Sequence, residues 1–252
     1  MKKKQTPWHI NLLTLFPEMF PGSLGHSLSG KALENGLWSY QCTNIRDFAT
    51  DTHKCVDDTP YGGGAGMVMR PDIIEKALIS IKNPGRKIYM SPRGKPLTQH
   101  LVNDLATTQT LTLLCGRYEG VDQRLLDAHN FEEISIGDYV LSGGEPAALI
   151  LMDACIRLLG GVLGNENTPD EESFSNGLLE YPHYTRPAEW IDAYNQKRIV
   201  PETLTSGHHK NIEQWRMEQS ELLTKQRRPD LWSRYITTKT TSSKKKPSVK
   251  KT

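Results

Sequence analysis

The chain has few cysteines and no long apolar run, and both shortages exclude classes of protein. Its 252 residues include four cysteines, Cys42, Cys55, Cys115 and Cys155, without the short paired spacings of zinc sites. We therefore assign no metal ligands, and scattered thiols in a chain of this size indicate a reducing compartment such as the cytoplasm. No segment approaches the roughly 18 uninterrupted apolar residues that a membrane-spanning helix needs, so we expect a globular protein without a membrane span.

The net charge of +2 is unevenly divided along the chain. Residues 208–252 contain twelve Lys and Arg against four Asp and Glu, a surplus of eight, which leaves residues 1–207 with a net charge of −6. Within residues 208–252 cationic and aromatic side chains are interleaved, and together they suit RNA phosphates and bases. A solvated helix face with two core tryptophans fits the same pattern, so both interpretations stay open. The residues concerned are Trp215, Arg216, Lys225, Arg227, Arg228, Trp232 and Arg234.

Short apolar runs alternate with helical patterns over the first 160 residues. The apolar runs predict strands at Ile10 to Phe16, Lys87 to Met90, Leu111 to Cys115 and Ile134 to Ile136. The helical patterns fall at about residues 72–81, 98–105, 122–128 and 146–159. Alternation of this kind is typical of an α/β fold with a parallel sheet.

Two glycine-rich turns directly follow two of the predicted strands. Gly116-Arg117-Tyr118-Glu119-Gly120 follows one strand, and the segment from Ser135 to Glu145, which contains Gly137, Gly143 and Gly144, follows the other. Glycine lets backbone approach a ligand closely, and parallel strands end at one edge of a sheet. We therefore predict one crevice that holds a polar small molecule largely through backbone groups. Charged side chains are unusual between such glycines, and they are Arg117, Glu119, Asp138 and Glu145.

The remaining chain predicts a connection, a second small domain and a tail. Residues 165–187 are rich in Pro, Asn, Ser, Glu and Gly with little periodicity, which favours a long mobile connection between domains. Glu189 to Tyr194 and His208 to Lys225 read as helices of a small helical second domain at 188–236. The Lys-, Thr- and Ser-rich stretch at 237–252 is predicted to be a disordered basic tail.

Six segments in a fixed order resemble the bacterial tRNA (guanine-N1)-methyltransferases of the TrmD type. The match extends from near residue 8 to near residue 234. Besides the two glycine-rich turns, the segments are Leu15-Phe16-Pro17-Glu18-Met19-Phe20, Val56-Asp57-Asp58-Thr59-Pro60-Tyr61-Gly62-Gly63-Gly64, Gly161-Val162-Leu163-Gly164 and Tyr181-Pro182-His183-Tyr184-Thr185-Arg186-Pro187.

The resemblance implies a fold, an activity and an assembly. It implies a SPOUT-type parallel sheet with a C-terminal trefoil knot at 1–164, which composition and periodicity alone do not reveal. It implies methyl transfer from S-adenosylmethionine to N1 of the guanosine directly 3′ of the tRNA anticodon. It also implies a homodimer with shared active sites, in which one subunit supplies the cofactor pocket and the other supplies the connection and the C-terminal domain.

The resemblance also implies which residues surround the cofactor. They bind it mostly through backbone amides and carbonyls, while Tyr118 and Leu141 line its apolar side. Carried over position by position, they are Pro92, Gly116, Tyr118, Ile136, Gly137, Asp138, Tyr139, Val140, Leu141, Gly143 and Gly144.

Four further residues are implied as catalytic. Removing the proton from guanine N1 moves negative charge to O6, so the reaction needs a carboxylate near N1 and a cation near O6. Arg157 matches the cation of the family, and Glu119 matches a glutamate near the target base that is also able to hold Mg²⁺. The family has an aspartate before Ser-Phe, whereas this chain has Glu172 before Ser173-Phe174; Glu172 is our candidate base, with Asp170 in reserve.

Two other functions remain open at this point. Ribose 2′-O methylation occurs on the same knotted scaffold, but it needs a different base geometry and no reader of the guanine edge. A catalytically impaired RNA-binding homologue is the second alternative, because the position of the base is altered and the tail is basic. The two glycine-rich turns and the segment 181–187 favour the guanine-N1 enzyme.

Overall fold

The structure, a computed structural model, describes residues 7–163, 172–174 and 176–244. The chain divides into two compact units, Met1–Glu166 and Asn167–Thr252. In chain order the first unit contains β1 (Trp8–Thr14), α1 (Ser27–Glu34), β2 (Trp38–Asn44), β3 (Asp57–Asp58), β4 (Val68–Met69), α2 (Pro71–Ile79), β5 (Arg86–Pro96), α3 (Gln99–Thr107), β6 (Thr110–Leu114), α4 (Gln123–Ala128), β7 (Glu132–Ser135) and α5 (Gly144–Ile156). Short 3₁₀ helices lie at Pro17–Met19, Gly22–Gly25 and Ile45–Phe48.

A five-stranded parallel sheet in the order β2-β1-β6-β5-β7 organises the first unit. The predicted α/β class, the four predicted strands and the four predicted helices are confirmed, with ends displaced by a few residues, most at the end of β5. The edge strand β2 escaped prediction because its sequence, WSYQCTN, has no continuous apolar run. Its backbone pairs with β1 in parallel over all seven residues, beginning at Trp8 and Trp38.

Helices cover both faces of the sheet because successive strand residues point to opposite sides. On β1, Ile10 and Leu12 join one buried cluster, and Leu13 joins the other. Residues of α1, α3 and α5 pack in the first cluster, whereas residues of α2 and α4 pack in the second. This burial on both faces explains why all five residues of β6 are buried and why the strand contains only leucine and threonine.

The parallel arrangement places the ends of all five strands at one edge of the sheet. The backbone of β6 continues through Cys115 into the turn at Gly116, and β7 ends just before Ile136 and Gly137. Strand β5 lies between β6 and β7, so the two glycine-rich turns face each other across its end. Sequence-distant segments are thereby brought to one place.

The second unit contains β8 (Glu189–Ile191), β9 (Lys197–Ile199), α6 (Glu202–Thr205), α7 (His209–Arg227) and α8 (Pro229–Lys244). The helix predicted over His208 to Lys225 is confirmed as α7. The helix predicted over Glu189 to Tyr194 is wrong, because β8 and β9 form an antiparallel hairpin. The Asp192 carboxylate stabilises its turn by accepting hydrogen bonds from the backbone amides of Tyr194 and Gln196, each 2.9 Å long.

The disorder predicted from Thr237 is wrong as far as Lys244, because α8 continues to that residue. Threonine hydroxyls of α8 donate to the carbonyl four residues earlier, as Thr237 does to Ser233 at 2.9 Å. The Glu221 carboxylate of α7 also accepts hydrogen bonds from Tyr235 at 2.8 Å and from Lys239 at 2.7 Å. These contacts join the end of α8 to α7, and residues 245–252 lie outside the described part of the chain.

Every helix in the described ranges is too short or too polar to cross a lipid bilayer.

The Glu221 network predicts an acid-sensitive contact between α7 and α8. Hydrogen bonds from Lys239 and Tyr235 lower the pKa of Glu221, so its stabilising effect is complete above the ordinary glutamate pKa of about 4.3 and disappears as the pH falls through the lower, folded value. We expect Glu221→Gln to lower Tm by about 2 °C at pH 7 and to match the wild type near pH 3. Circular dichroism melts test this, with Glu213→Gln, an exposed glutamate of α7, as the matched control. An equal Tm difference at both pH values would contradict it.

Candidate active site

A cleft of about 250 Å³ opens at the carboxyl ends of β5, β6 and β7. Backbone and small side chains form much of its wall, which is the composition expected of a site that binds a polar molecule through peptide groups. Its lining comprises Tyr89, Met90, Ser91, Pro92, Gly116, Arg117, Tyr118, Glu119, Gly120, Ile134, Ser135, Ile136, Gly137, Tyr139, Val140, Leu141, Gly143, Gly144 and Ala147.

The cleft brings together ten of the eleven residues predicted around a cofactor, from Pro92 to Gly144. Asp138 is the exception, because it is exposed and does not line the cleft. Val140 is 85% exposed and Leu141 40% exposed, so this loop presents apolar side chains at the rim. The predicted crevice between the two glycine-rich turns is therefore present.

Close backbone packing explains two of the cleft glycines. A Cβ atom at Gly144 would lie 2.8 Å from the Cα of Cys115, and one at Gly116 would lie 2.7 Å from the ring of Tyr89. The amide of Gly144 donates a 2.8 Å hydrogen bond to the carbonyl of Gly116. The two turns are thus in direct contact; a side chain at Gly144 would separate them, whereas one at Gly116 would clash with the ring of Tyr89.

Two of the four charged residues in these turns bind each other. Arg117 Nε lies 2.9 Å from Glu145 Oε2, and the Glu145 side chain is fully buried at the start of α5. The Thr14 hydroxyl donates a 2.8 Å hydrogen bond to Glu145 Oε1. The charge of Glu145 is therefore matched by a residue of the same chain, although in the sequence it suggested contact with a polar ligand.

Glu119 lines the cleft beside a third glycine-rich segment, Gly62–Gly66. Its amide donates a 2.9 Å hydrogen bond to the carbonyl of Met67, and its side chain occupies the space that a Cβ at Gly66 would need. Gly66 belongs to the segment Gly62–Gly66, which has positive φ angles at Gly62, Gly63, Gly64 and Gly66. The Glu119 side chain itself remains exposed.

Arg157 lies at the other end of α5. It follows Ile156 as the C-terminal cap and lines a different cavity, of about 410 Å³, together with His26, Ser27 and Asp153. A helix rises about 1.5 Å per residue, which puts Arg157 roughly 20 Å from Gly143. Within one chain, the arginine and the glycine-lined cleft are therefore separate.

The two candidate bases belong to the second unit by sequence. Glu172 is half-buried, and its neighbour Ser173 accepts a 3.0 Å hydrogen bond from the amide of Glu180. Asp170 lies outside the described residues. In the described ranges, no cluster of three or more His, Cys, Asp or Glu side chains is arranged to hold a metal ion.

Tyr89 is one of the cleft residues that the sequence did not reveal, together with Met90, Ser91 and Ala147. Its ring packs under Gly116, and its hydroxyl lies 3.1 Å from where a Cβ at Gly120 would be. Burial raises the pKa of this phenol, which keeps it protonated. The apolar run at 87–90 predicted the strand but did not indicate that Tyr89 lines the cleft. Tyr89 lies there because β5 pairs between β6 and β7.

Comparisons with known proteins relate the chain to one family. The model of the family described as tRNA (Guanine-1)-methyltransferase TrmD matches residues 8–234. A tRNA (guanine-N(1)-)-methyltransferase of Rhodospirillum rubrum is 60% identical over 230 residues, which are 91% of this chain and 94% of the relative. Proteins of the same description from Mesorhizobium japonicum (59%; 88% and 94%) and Brucella ovis (54%; 93% and 95%) are similarly close.

A parallel sheet with a backbone-lined cleft at its carboxyl edge is the architecture typical of α/β enzymes that act on small polar ligands. The chain belongs to the TrmD family of tRNA (guanine-N1)-methyltransferases, which confirms the resemblance in its sequence. It is accordingly a methyltransferase that modifies tRNA, and the methyl donor of that family is S-adenosylmethionine.

The packing of Gly144 generates a prediction. Gly144→Ala forces the two turns apart, so we expect binding of S-adenosylhomocysteine, the demethylated donor, to weaken by about tenfold or more, as a clash of 1–3 kcal/mol implies. Isothermal titration calorimetry measures this. Gly160→Ala is the matched control, because a Cβ there meets nothing within 4 Å. Normal affinity in the Gly144 variant would contradict the assignment.

Proposed function

We propose that this enzyme transfers the methyl group of S-adenosylmethionine to N1 of the guanosine that follows the tRNA anticodon. The observation that carries the proposal is the cleft between two glycine-rich turns in a chain of the TrmD family. Family membership supplies the reaction class, and the cleft provides a place for the donor. The position of the guanosine is part of the proposal.

The residues of the cleft fit such a donor. Peptide groups of Gly116, Ile136 and Gly143 provide neutral donors and acceptors for a polar adenosine, and Tyr118 and Leu141 provide apolar surface. Bound there, S-adenosylmethionine supplies a methyl group on a sulfonium, which is already a good leaving group. The protein must therefore mainly align the nucleophile and remove its proton.

The proton on guanine N1 determines what the catalytic side chains must do. As the base removes it, charge develops on O6, where a planar guanidinium is well suited to bind an oxyanion. We assign the cation to Arg157 and the general base to Glu172, with Asp170 as the reserve. Glutamate and aspartate differ by only about 0.4 units in reference pKa, so the extra methylene changes mainly reach and orientation.

The separation of Arg157 from the cleft supports a homodimer with shared active sites. The arginine is roughly 20 Å from Gly143 along α5, whereas a residue that binds O6 must lie near the methyl group. A second copy of the chain resolves this conflict if each active site draws on residues of both subunits. A symmetric pair would then contain two identical composite sites.

Glu119 is proposed to lie beside the target base. It lines the cleft and its side chain is exposed, so its carboxylate is accessible to an incoming base. Its carboxylate suits the exocyclic amine of guanine as a hydrogen-bond acceptor, and carboxylate oxygen is also a ligand for Mg²⁺. Participation of Mg²⁺ is part of this proposal.

The second unit is proposed to bind the anticodon stem-loop. Arg216 of α7 stacks on the ring of Tyr181 with its Cζ 4.8 Å from the ring centroid, and Trp215 contacts Tyr184 edge to face at 6.1 Å. Tyr184 is 48% exposed. Exposed aromatic rings beside arginines fit unpaired bases and phosphates better than they fit a purely solvated face.

The SPOUT-type trefoil knot and the cytoplasmic location complete the proposal. After β7 the chain passes β5 and returns to the end of β6, where Gly144 contacts Gly116. A knot requires that one connection of the chain cross another, and this return of the chain past β5 supports such a crossing. All four cysteines are free thiols, which agrees with a reducing compartment.

Glu172→Ala tests the general base. We expect kcat to fall by about two to four orders of magnitude while S-adenosylhomocysteine binding stays unchanged, because the variant removes a proton acceptor and leaves the cleft intact. Primer extension on transcribed tRNA measures the reaction, since N1 methylation stops the polymerase whereas ribose 2′-O methylation does not reliably do so. An RNA-binding homologue without activity would give no stop even in the wild type.

Two matched variants complete this experiment. Glu171→Ala should retain activity, whereas an inactive Asp170→Ala would transfer the role to the reserve residue. A tRNA with adenosine at the target position must give no stop. Normal turnover by Glu172→Ala would remove Glu172 from the mechanism.

Mixing two impaired variants tests the shared site, at a donor concentration well below the raised Kd of Gly144→Ala. Under that condition the Gly144→Ala cleft stays mostly empty and a Glu172→Ala chain lacks the base, so a mixed dimer with composite sites contains one complete site. After random subunit exchange we expect about a quarter of wild-type activity, because half of the symmetric pairs are mixed. Sites built within single subunits would restore none.

A further inference from the structure

The buried pair Arg117–Glu145 connects three segments that meet at the cleft. Glu145 opens α5, Arg117 belongs to the turn after β6, and Thr14 ends β1. Glu145 Oε1 accepts from the Thr14 hydroxyl at 2.8 Å, and Glu145 Oε2 lies 2.9 Å from Arg117 Nε. The two last-named atoms are poorly aligned for a hydrogen bond, so their attraction is mainly electrostatic.

The arginine is fixed on its other sides as well. Its Nη1 donates a 3.3 Å hydrogen bond to the carbonyl of Ser142, directly before Gly143. Its guanidinium stacks on the ring of Phe16 with Cζ 4.4 Å from the centroid. The Arg117 side chain passes through the space that a Cβ at Gly143 would occupy, which explains that glycine.

Full burial of Glu145 makes its charge informative. A carboxylate without solvent needs a cation or several donors, and its partner here is an arginine whose side chain is only 19% exposed. Apolar residues of similar volume would often stabilise a core equally well. The presence of a charged pair is therefore better explained by the way it fixes the positions of the two turns than by a contribution to the free energy of unfolding.

We propose that Arg117 and Glu145 are positioning residues for the methyl donor: their ion pair holds the Gly116–Gly120 turn and the Ser135–Gly144 loop at the separation that the donor requires. This inference rests on the proposed function, because it takes the cleft as the donor site. It adds that donor affinity depends on two side chains whose charged groups bind each other.

A double-mutant cycle tests the inference. Glu145→Gln keeps the side-chain volume and an oxygen for the Thr14 hydrogen bond, but it removes the charge; Arg117→Gln removes the cation. We expect each variant to raise the Kd for S-adenosylhomocysteine and the KM for the donor about tenfold. The Kd of the double variant should be no higher than that of the single variant with the higher Kd, because the effects of two residues that act as a pair do not add. At saturating donor, kcat and the KM for tRNA should remain within about twofold of the wild type.

Glu132→Gln is the matched control. Glu132 also pairs with an arginine, Arg86, at 2.6 Å, but at the start of β7 and therefore at the opposite edge of the sheet. It should leave the Kd for S-adenosylhomocysteine unchanged. A merely structural role of Arg117–Glu145 would lower Tm and kcat without the selective change in donor affinity.

The outcomes separate this inference from the proposed function. Unchanged donor affinity in the single variants, or additive losses in the double variant, would overturn the positioning role. Failure of the wild type itself to bind S-adenosylhomocysteine would instead overturn the donor site. If Glu145→Gln does not fold, Arg117→Lys keeps the charge but lacks the guanidinium fork that reaches both Glu145 and Ser142, and it must still weaken binding.

Discussion

Gly144 packs directly on the backbone at the end of β6, and the cleft depends on this contact. Its amide bonds to the carbonyl of Gly116, and no side chain fits between the two segments. One turn follows the third strand of the sheet and the other follows an edge strand, so their contact spans β5. The opening that remains between them is lined by peptide groups, which suits a ligand recognised by its hydrogen bonds as much as by its charge.

The charged residues near this contact have different tasks. Glu145 is fully buried and paired with Arg117, so it belongs to the support of the cleft, whereas Glu119 stays exposed at the surface of the cleft. Residue type alone does not separate the two glutamates, because both stand beside glycine in ligand-facing turns. Burial and the nearest partner separate them.

Some elements of the structure were predictable from the sequence and others were not. The short, mainly apolar run from Leu111 to Cys115 and the glycine turn after it predicted both a buried strand and the place of the cleft. A helix was predicted where β8 and β9 form a hairpin, because the hairpin turn depends on side-chain hydrogen bonds of Asp192. Disorder was predicted for the last helical turns before Lys244, because these turns depend on hydrogen bonds of Thr237 and Glu221. Such contacts leave no periodic signal in the chain.

By itself, the sequence determined the α/β class, the family and the two turns that form the cleft, because apolar periodicity and ordered motifs are local properties of the chain. Only the tertiary structure decided that Tyr89 lies under the turn at Gly116, that Arg117 pairs with Glu145 and that Arg157 lies at the far end of α5. These relations depend on which strands become neighbours in the sheet, and strand order is a property of the folded chain.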